Sequence, residues 1–272
     1  MKPTNDAASG RKGDLRREAI LQALKRQGRI TVAEIVDRFQ CSEATARRDL
    51  DLLERTEPVI RTIGGALYDG TLTAREVTFA EKTHLRWIEK EQIAQTAAAL
   101  VEEGDVIGLS GGTTTYLIAK SLKARSGITV VTNAVNIAVE LADSEGIQVV
   151  VTGGILRGKS YELCGPLAEK MVRELNIGKM FLGVDGITVE QGATTYSEAE
   201  AEIAKALIRR SQRTYAVFDH SKMNRASLFS IAPLSALHGI VTDAPPDSPL
   251  VRTAIECGIR VHSARRTENA SP

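Results

Sequence analysis

The sequence predicts an α/β chain in two parts, a small N-terminal winged helix-turn-helix domain followed by a larger domain built on a doubly wound parallel sheet. Three observations carry that expectation. Residues 15–55 hold three short helical patterns, "PVIRTIGGALYDG" adds a strand and a glycine turn, and from Asp105 onward short apolar runs alternate with helical segments. The 272 residues suit two domains, and 43% hydrophobic residues are enough to bury a sizeable core.

The leader "MKPTNDAASGRKGD" is polar and lacks the apolar run of a secretion signal, so residues 1–14 are expected to be disordered. No window approaches the roughly 18 apolar residues of a membrane span, so no membrane partner is expected. Cys41, Cys164 and Cys257 are odd in number and far apart, with no CxxC spacing. That pattern argues against a disulfide framework and a zinc site, and it fits a reducing cytoplasm. Neither a metal nor a cofactor is expected.

Leu15, Ala19, Ile20, Ala23 and Leu24 recur at helical spacing, and Gly28 stops the run. Thr31 followed by Glu34 has capping-box spacing, and Val32, Ile35, Val36 and Phe39 form a short second helix ending before Cys41. Ser42 caps a third helix, on which Ala46, Leu50 and Leu53 share a stripe. Two short helices, a tight turn and a third helix make a helix-turn-helix signature.

Whole-chain charge is uninformative, at +1. Within residues 11–48, however, ten Lys/Arg stand against five Asp/Glu, which places the positive field at the N-terminus. At about 100° per residue, Arg48 lies opposite the apolar stripe of the third helix, with Ala44 and Asp51 near it and Arg47 on the flank. An exposed arginine pair is ordinarily a solvated face. Here it occupies, with Ser42, Glu43 and Thr45, the N-terminal end of the helix that would enter a major groove, where Arg can take guanine O6 and N7 and a hydroxyl can hold a phosphate. The strand that follows, with Arg61 and the Gly64-Gly65 turn, reads as a wing on the DNA backbone. The candidate DNA-facing set is Thr31, Ser42, Glu43, Ala44, Thr45, Arg47, Arg48, Arg61, Gly64 and Gly65, within a domain at 15–70.

Residues 71–103 read as a connector whose Ile93, Ala94, Ala97, Ala98 and Val101 form an Ala-rich amphipathic helix able to pack between the domains, with Trp87 buried there. The second domain, 104–265, opens at "VIGL" and continues through "ITVVT", "IQVVVTGG", "MFLGVDG", "TYAVFD" and "HGIVTD", ahead of a short tail at 266–272 expected to be disordered. Strands that are apolar on both faces and alternate with helices imply a parallel sheet, whose ligands bind at the carboxyl ends of its strands. Polar residues collect there. In "LSGGTTT" the backbone N–H groups of Gly111 to Thr115, with the threonine hydroxyls, form an anion cradle at a helix N-terminus. Asn133, Gly153-Gly154, Asp185-Gly186, and Asp219 with Lys222 follow later strands. Each alone is an ordinary turn, cap or surface charge. There is no GxxxxGK[ST] and no GxGxxG, which argues against P-loop and dinucleotide sites.

Taken together, "RREAILQALKRQGRITVAEIVDRFQCSEATARRDLDLLER", "IRTIGGA", "LSGGTTT", "VTNAVNIA", "VVVTGGILRGKSYELCG", "FLGVDGI", "EAEAEIAKALI" and "FDHSK" resemble the DeoR family of bacterial sugar-responsive regulators over nearly the whole chain. Ala46, Ile63 and Ser110 depart from the residues common there, which are branched, histidine and aspartate respectively. The resemblance implies a sensor half of the ribose phosphate isomerase type holding a phosphorylated sugar. Gly111, Gly112, Thr113 and Thr114 would take the phosphate, and Asp185, Glu198 or Glu200, and Lys222 would meet the sugar. The candidate effector set is Ser110, Gly111, Gly112, Thr113, Thr114, Thr115, Asn133, Gly153, Gly154, Asp185, Glu198, Glu200 and Lys222. The implied partners are double-stranded operator DNA, a phosphorylated sugar and further copies of the chain in a homodimer or homotetramer. Two other readings stay open: a sugar-phosphate isomerase with a DNA-binding appendage, since Asp185, Glu198/Glu200 and Lys222 suit proton transfer beside a carbonyl, and an architectural DNA binder without effector.

Overall fold

The computed structural model describes residues 6–57, 59–62, 64–68, 76–83 and 85–264. The leader residues 1–5, Ile63 and the expected tail at 266–272 lie outside the described residues. The chain splits into two compact units, Met1–Thr73 and Ala74–Pro272.

In the first unit, helices α1 (Asp6–Gln27), α2 (Val32–Phe39) and α3 (Glu43–Thr56) alternate with strands β1 (Arg29–Thr31), β2 (Val59–Thr62) and β3 (Gly65–Tyr68). The strands form an antiparallel sheet in the order β1-β3-β2. The predicted capping box is present: Glu34 N donates to Thr31 Oγ1 at 3.2 Å, and Thr31 N donates to Glu34 Oε2 at 2.6 Å. Gln40, in the left-handed region, ends α2. Ser42 caps α3 as expected. Ala46, Leu50 and Leu53 pack against Ile20, Leu24 and Ile35 in one buried cluster. Two expectations change. The helix begins at Asp6, so residues 6–14 are helical instead of a disordered leader; extending a nucleated helix is cheap. Leu15 and Ala19 are exposed, because the core takes from α1 only Ile20, Leu21, Ala23 and Leu24.

The second unit contains α4 (Phe79–Thr83), α5 (Trp87–Ala98), β4 (Val106–Leu109), α6 (Thr113–Leu122), β5 (Ile128–Thr132), α7 (Val135–Leu141), β6 (Ile147–Val151), β7 (Ile155–Arg157), β8 (Glu162–Cys164), α8 (Pro166–Val172), β9 (Ile177–Gly183), β10 (Gly186–Thr188), β11 (Gly192–Thr195), α9 (Glu198–Arg209), β12 (Ser211–Phe218), β13 (Phe229–Ala232), β14 (Gly239–Thr242), α10 (Pro249–Glu256) and β15 (Arg260–Ser263). Seven strands form a parallel sheet in the order β15-β14-β12-β9-β4-β5-β6. Both faces are covered, as alternation along β9 shows: Phe181 joins the cluster under α5 and α6, while Met180 and Leu182 join the cluster under α8 and α9. The six predicted parallel strands are all present. The Ala-rich helix belongs to the second unit. Ile93, Ala94, Ala97 and Ala98 of α5 are core of the second unit, against α6, because an apolar stripe of that width needs a sheet or helix to cover it.

From β4 the chain winds outward to β5 and β6, then crosses to β9 and winds the other way through β12, β14 and β15. The direction therefore reverses between β4 and β9. The loops after these two strands diverge and leave a crevice at their carboxyl ends.

Candidate functional site

The first unit exposes Ser42, Glu43, Ala44, Arg47 and Arg48 on the N-terminal part of α3. Ser42 Oγ accepts from Thr45 N at 3.2 Å and lies 2.9 Å from Thr45 Oγ1, so both hydroxyls are already engaged in the cap. Arg47 makes a 3.4 Å contact with Glu43, an exposed pair of little energetic weight that a phosphate would readily replace. Asp49, next in sequence, points inward: it is 2% exposed and is bound by Arg16 at 2.5 Å and Arg17 at 3.2 Å. The run Arg47-Arg48-Asp49 thus splits into two outward cations and one inward clamp that ties α3 to α1, a role the sequence reading did not assign.

Two of the wing candidates are engaged within the unit itself. Arg61 is not a free cation: Nε donates to Asp51 at 2.9 Å and a terminal nitrogen donates to Gly65 O at 2.6 Å, so its guanidinium braces the wing against α3. A side chain at Gly65 would place Cβ 2.1 Å from Ile30 O, so this glycine lets β1 approach β3. Thr31 spends its hydroxyl on the capping box. Gly64 is open to solvent.

At the reversal point of the large sheet lies an open pocket. Of the residues named from sequence, Gly111, Gly112, Thr113, Thr114, Asp185, Glu200, Asp219 and Lys222 line it. Gly112 precedes α6 with φ +128°, a conformation that favours glycine, and the turn it makes sets Gly111–Thr114 on the cavity wall at the N-terminus of the helix. Gly111 is needed for a different reason: a Cβ there would fall 2.2 to 2.4 Å from the Glu162 side chain, which packs flat on the turn.

The opposite wall is ionic. Lys82 Nζ donates to Asp185 Oδ1 at 2.5 Å, and Thr195 Oγ1 lies 3.1 Å from both Asp185 Oδ2 and Glu200 Oε2, so one hydroxyl proton serves two carboxylates. Arg157 Nε reaches Glu200 at 3.1 Å. Burial would raise Asp185, but the nearby Lys82 and Lys222 outweigh it and hold the carboxyl well below its ordinary range. Burial lowers Lys222, with Asp185 opposing. Lys90 is pushed down to about 7, first by burial and then by Lys222 and Lys82 against the pull of Asp219. Glu162 is pushed up to about 8 by burial and the neighbouring Glu200. Two groups therefore titrate near neutrality inside one cavity.

The remaining candidates do not line the pocket. Ser110 is buried behind the turn, where Oγ accepts from Gly183 N at 2.9 Å and ties β4 to β9. Thr115 is fully buried and donates to Gly112 O at 3.0 Å. Asn133 is buried and reaches the site only through Glu162, to which Nδ2 donates at 2.8 Å. Gly153 and Gly154 take positive φ before the β7–β8 hairpin, and Gly154 packs against Cys164 O. Glu198 is exposed, so of the acidic pair only Glu200 belongs to the cavity. Sequence reading missed Lys82, Lys90 and Glu162, which follow no strand of the large sheet. Among the described residues, no helix is long and apolar enough to cross a membrane.

Comparison with known proteins follows the same division. Residues 16–71 match the DeoR-like helix-turn-helix domain, and residues 86–244 match the DeoR C terminal sensor domain. The chain is 34% identical over 252 residues to a putative aga operon transcriptional repressor of Escherichia coli O157:H7, covering 90% of this chain and 94% of that one. It is 34% identical to the HTH-type transcriptional repressor GlcR of Bacillus subtilis, over 84% and 88% of the two chains. It is 35% identical to the lactose phosphotransferase system repressor of Lactococcus lactis subsp. lactis, over 84% and 90%. These relatives are named as regulators, which does not favour the isomerase alternative. Among solved structures, ribose 5-phosphate isomerase A from Methanocaldococcus jannaschii is 18% identical with a TM-score of 0.38; the match spans 49% of this chain and about half (53%) of the isomerase, and says nothing of activity. With both domain matches in chain order and full-length relatives on each side, the chain belongs to the DeoR family of helix-turn-helix transcriptional regulators.

Proposed function

We propose that this regulator is a cytoplasmic repressor of carbohydrate-catabolism genes whose operator affinity is controlled by a phosphorylated sugar bound in the second unit. The observation that carries the reading is the pairing, in one cavity, of the Gly111–Thr114 turn at the N-terminus of α6 with the Lys82, Asp185, Glu200 and Lys222 cluster. The turn offers backbone donors to a dianion, and the cluster offers both donors and acceptors to hydroxyls or a carbonyl. The names of the relatives, repressors of an aga operon and of a lactose phosphotransferase system, agree with a sugar-linked ligand. An effector can shift operator affinity only by binding one arrangement of the chain better than another, and a homodimer or homotetramer would let two α3 helices read a two-fold operator.

The test has two arms. A duplex recovered by in vitro selection from random DNA serves as operator, and ribose 5-phosphate, fructose 6-phosphate and glycerol 3-phosphate, each with its dephosphorylated parent, serve as candidate effectors. Binding of a phosphate but not its parent, with a change in operator affinity, supports the reading; turnover of the bound sugar would replace it with the isomerase. On the DNA side, Arg47→Ala or Arg48→Ala is expected to cost on the order of 1 to 3 kcal/mol of operator binding, with relaxed base preference where the arginine reads a base and a uniform loss where it holds phosphate. Unchanged affinity in both variants, measured by fluorescence anisotropy, would remove α3 from the interface.

The titrating pair gives a further expectation. At a pH slightly above 7, Lys90 is about half neutral and Glu162 mostly protonated. An incoming dianion favours the charged lysine and disfavours the glutamate anion, so both values rise and protons are taken up. Calorimetry at this pH should therefore give a more endothermic apparent enthalpy in Tris than in PIPES, because the buffer supplies the proton. Equal enthalpies in the two buffers, or the opposite order, would contradict it.

A further inference from the structure

The segment between the two family matches, residues 72–85, belongs to neither the helix-turn-helix nor the sensor range. Yet Glu76, Phe79 and Lys82 from this segment line the pocket. The stretch is fastened there by polar and aromatic contacts. Arg157 donates to Glu76 Oε1 at 2.6 Å, and Lys159 lies 3.5 Å from Glu76 Oε2. Phe79 N donates to Lys159 O at 2.7 Å, and the Phe79 ring sits 5.9 Å from Tyr116 and 5.3 Å from Tyr161. Lys82 is held twice, by its ammonium on Asp185 and by its carbonyl, which accepts from Lys90 Nζ at 2.8 Å. Several of these partners are themselves pocket groups: Asp185 and Lys90 line it, and Arg157 also grips Glu200.

Two physical facts give the arrangement meaning. No residue of α4 is fully buried; the helix is held by the Phe79 ring against Tyr116 and Tyr161 and by polar contacts at Lys82 that a ligand would share. And Glu76 stands three residues after Thr73, where the first unit ends. An occupant of the cavity that meets Lys82 or Asp185 adds bonds to the one stretch of chain leading directly out of the DNA-binding unit.

Resting on the reading of this cavity as the effector site, we infer that residues 76–83 are a strap that completes that site, with Lys82 contacting a sugar oxygen of the effector beside Asp185, and that effector binding fastens the strap and so alters operator affinity. The strap is thus both a wall of the site and the segment through which occupancy reaches the DNA-binding unit.

The experiment uses the full chain. Hydrogen exchange is followed with and without the tightest-binding of the three sugar phosphates above, at saturation. Amides of residues 77–83 are expected to slow by about fivefold or more when it binds. Lys82→Met is expected to weaken the same sugar phosphate by about tenfold or more, the loss of one charge-assisted contact, and to abolish the slowing. A second arm needs no effector and is safe should Lys82→Met fold poorly. Glu76→Gln removes the Arg157 and Lys159 ion pairs, and in the ligand-free chain it should change affinity for the selected duplex by about threefold or more although the substitution lies in the second unit. Unchanged exchange in the strap with the sugar phosphate demonstrably bound overturns the inference, and so does unchanged operator affinity of Glu76→Gln. Failure of every sugar phosphate to bind the wild-type chain would instead overturn the effector reading, and the Glu76→Gln arm would still decide whether the strap governs operator affinity.

Discussion

Gly112→Val is expected to abolish binding of phosphorylated effectors while the DNA-binding unit stays folded. At φ +128° a β-branched residue is strained by about 1 to 3 kcal/mol, and the turn relieves that strain only by rotating its peptide groups away from the cavity. Each amide lost to a charged phosphate oxygen removes about 1.5 to 3 kcal/mol, so losing two weakens binding by about two to four powers of ten. Calorimetry with a sugar phosphate and its dephosphorylated parent separates the outcomes. If the variant binds the phosphate as the wild type does, or if the wild type binds both members of the pair equally, the turn is only a turn.

Gly65→Ala should be the most damaging single substitution in the first unit. The added Cβ would fall 2.1 Å from Ile30 O and 2.7 Å from Thr31 Cα, backbone atoms that cannot swing aside as a side chain would. Strand β1 must leave β3, which takes with it the Thr31 cap of α2, and the expected cost is about 3 kcal/mol or more. Its neighbour supplies the control. A Cβ on Gly64 meets nothing within 4 Å, so Gly64→Ala should lie within about 0.5 kcal/mol of wild type. Hydrogen exchange in β1 and β3 resolves the difference within this unit, and equal protection in the two variants would contradict the packing argument.

The large sheet was legible because parallel strands covered on both faces leave unbroken apolar runs such as Tyr215–Phe218. β15, reading Arg-Val-His-Ser at the sheet edge, carries no such run and left no signal. The same logic divides the pocket. Gly111, Asp185 and Lys222 were readable because they follow strands whose ends must converge. Lys82 and Lys90 were not, because a lysine on a helix reads as solvated until topology sets it against Asp185 and Asp219. The choice between Glu198 and Glu200 required the rotational phase of α9: two positions apart on a helix differ by about 200°, so only one can face the cavity. Arg61 shows the converse limit. Its charge was visible in the sequence, but Asp51, ten residues earlier, was not recognisable as its partner.

The contact between Gly111 and Glu162 makes these two positions, fifty-one residues apart in sequence, a single inherited character. The glutamate carboxyl occupies the volume that a methyl group at 111 would need, so a side chain at 111 requires the Glu162 side chain to move or to shorten. Among relatives, an alanine at the position of Gly111 should be accompanied by a shorter side chain at the position of Glu162, and lineages that keep the glutamate should keep the glycine. Gly111→Ala should displace the Glu162 side chain from its Asn133 contact, and the double replacement Gly111→Ala with Glu162→Ala should relieve that clash.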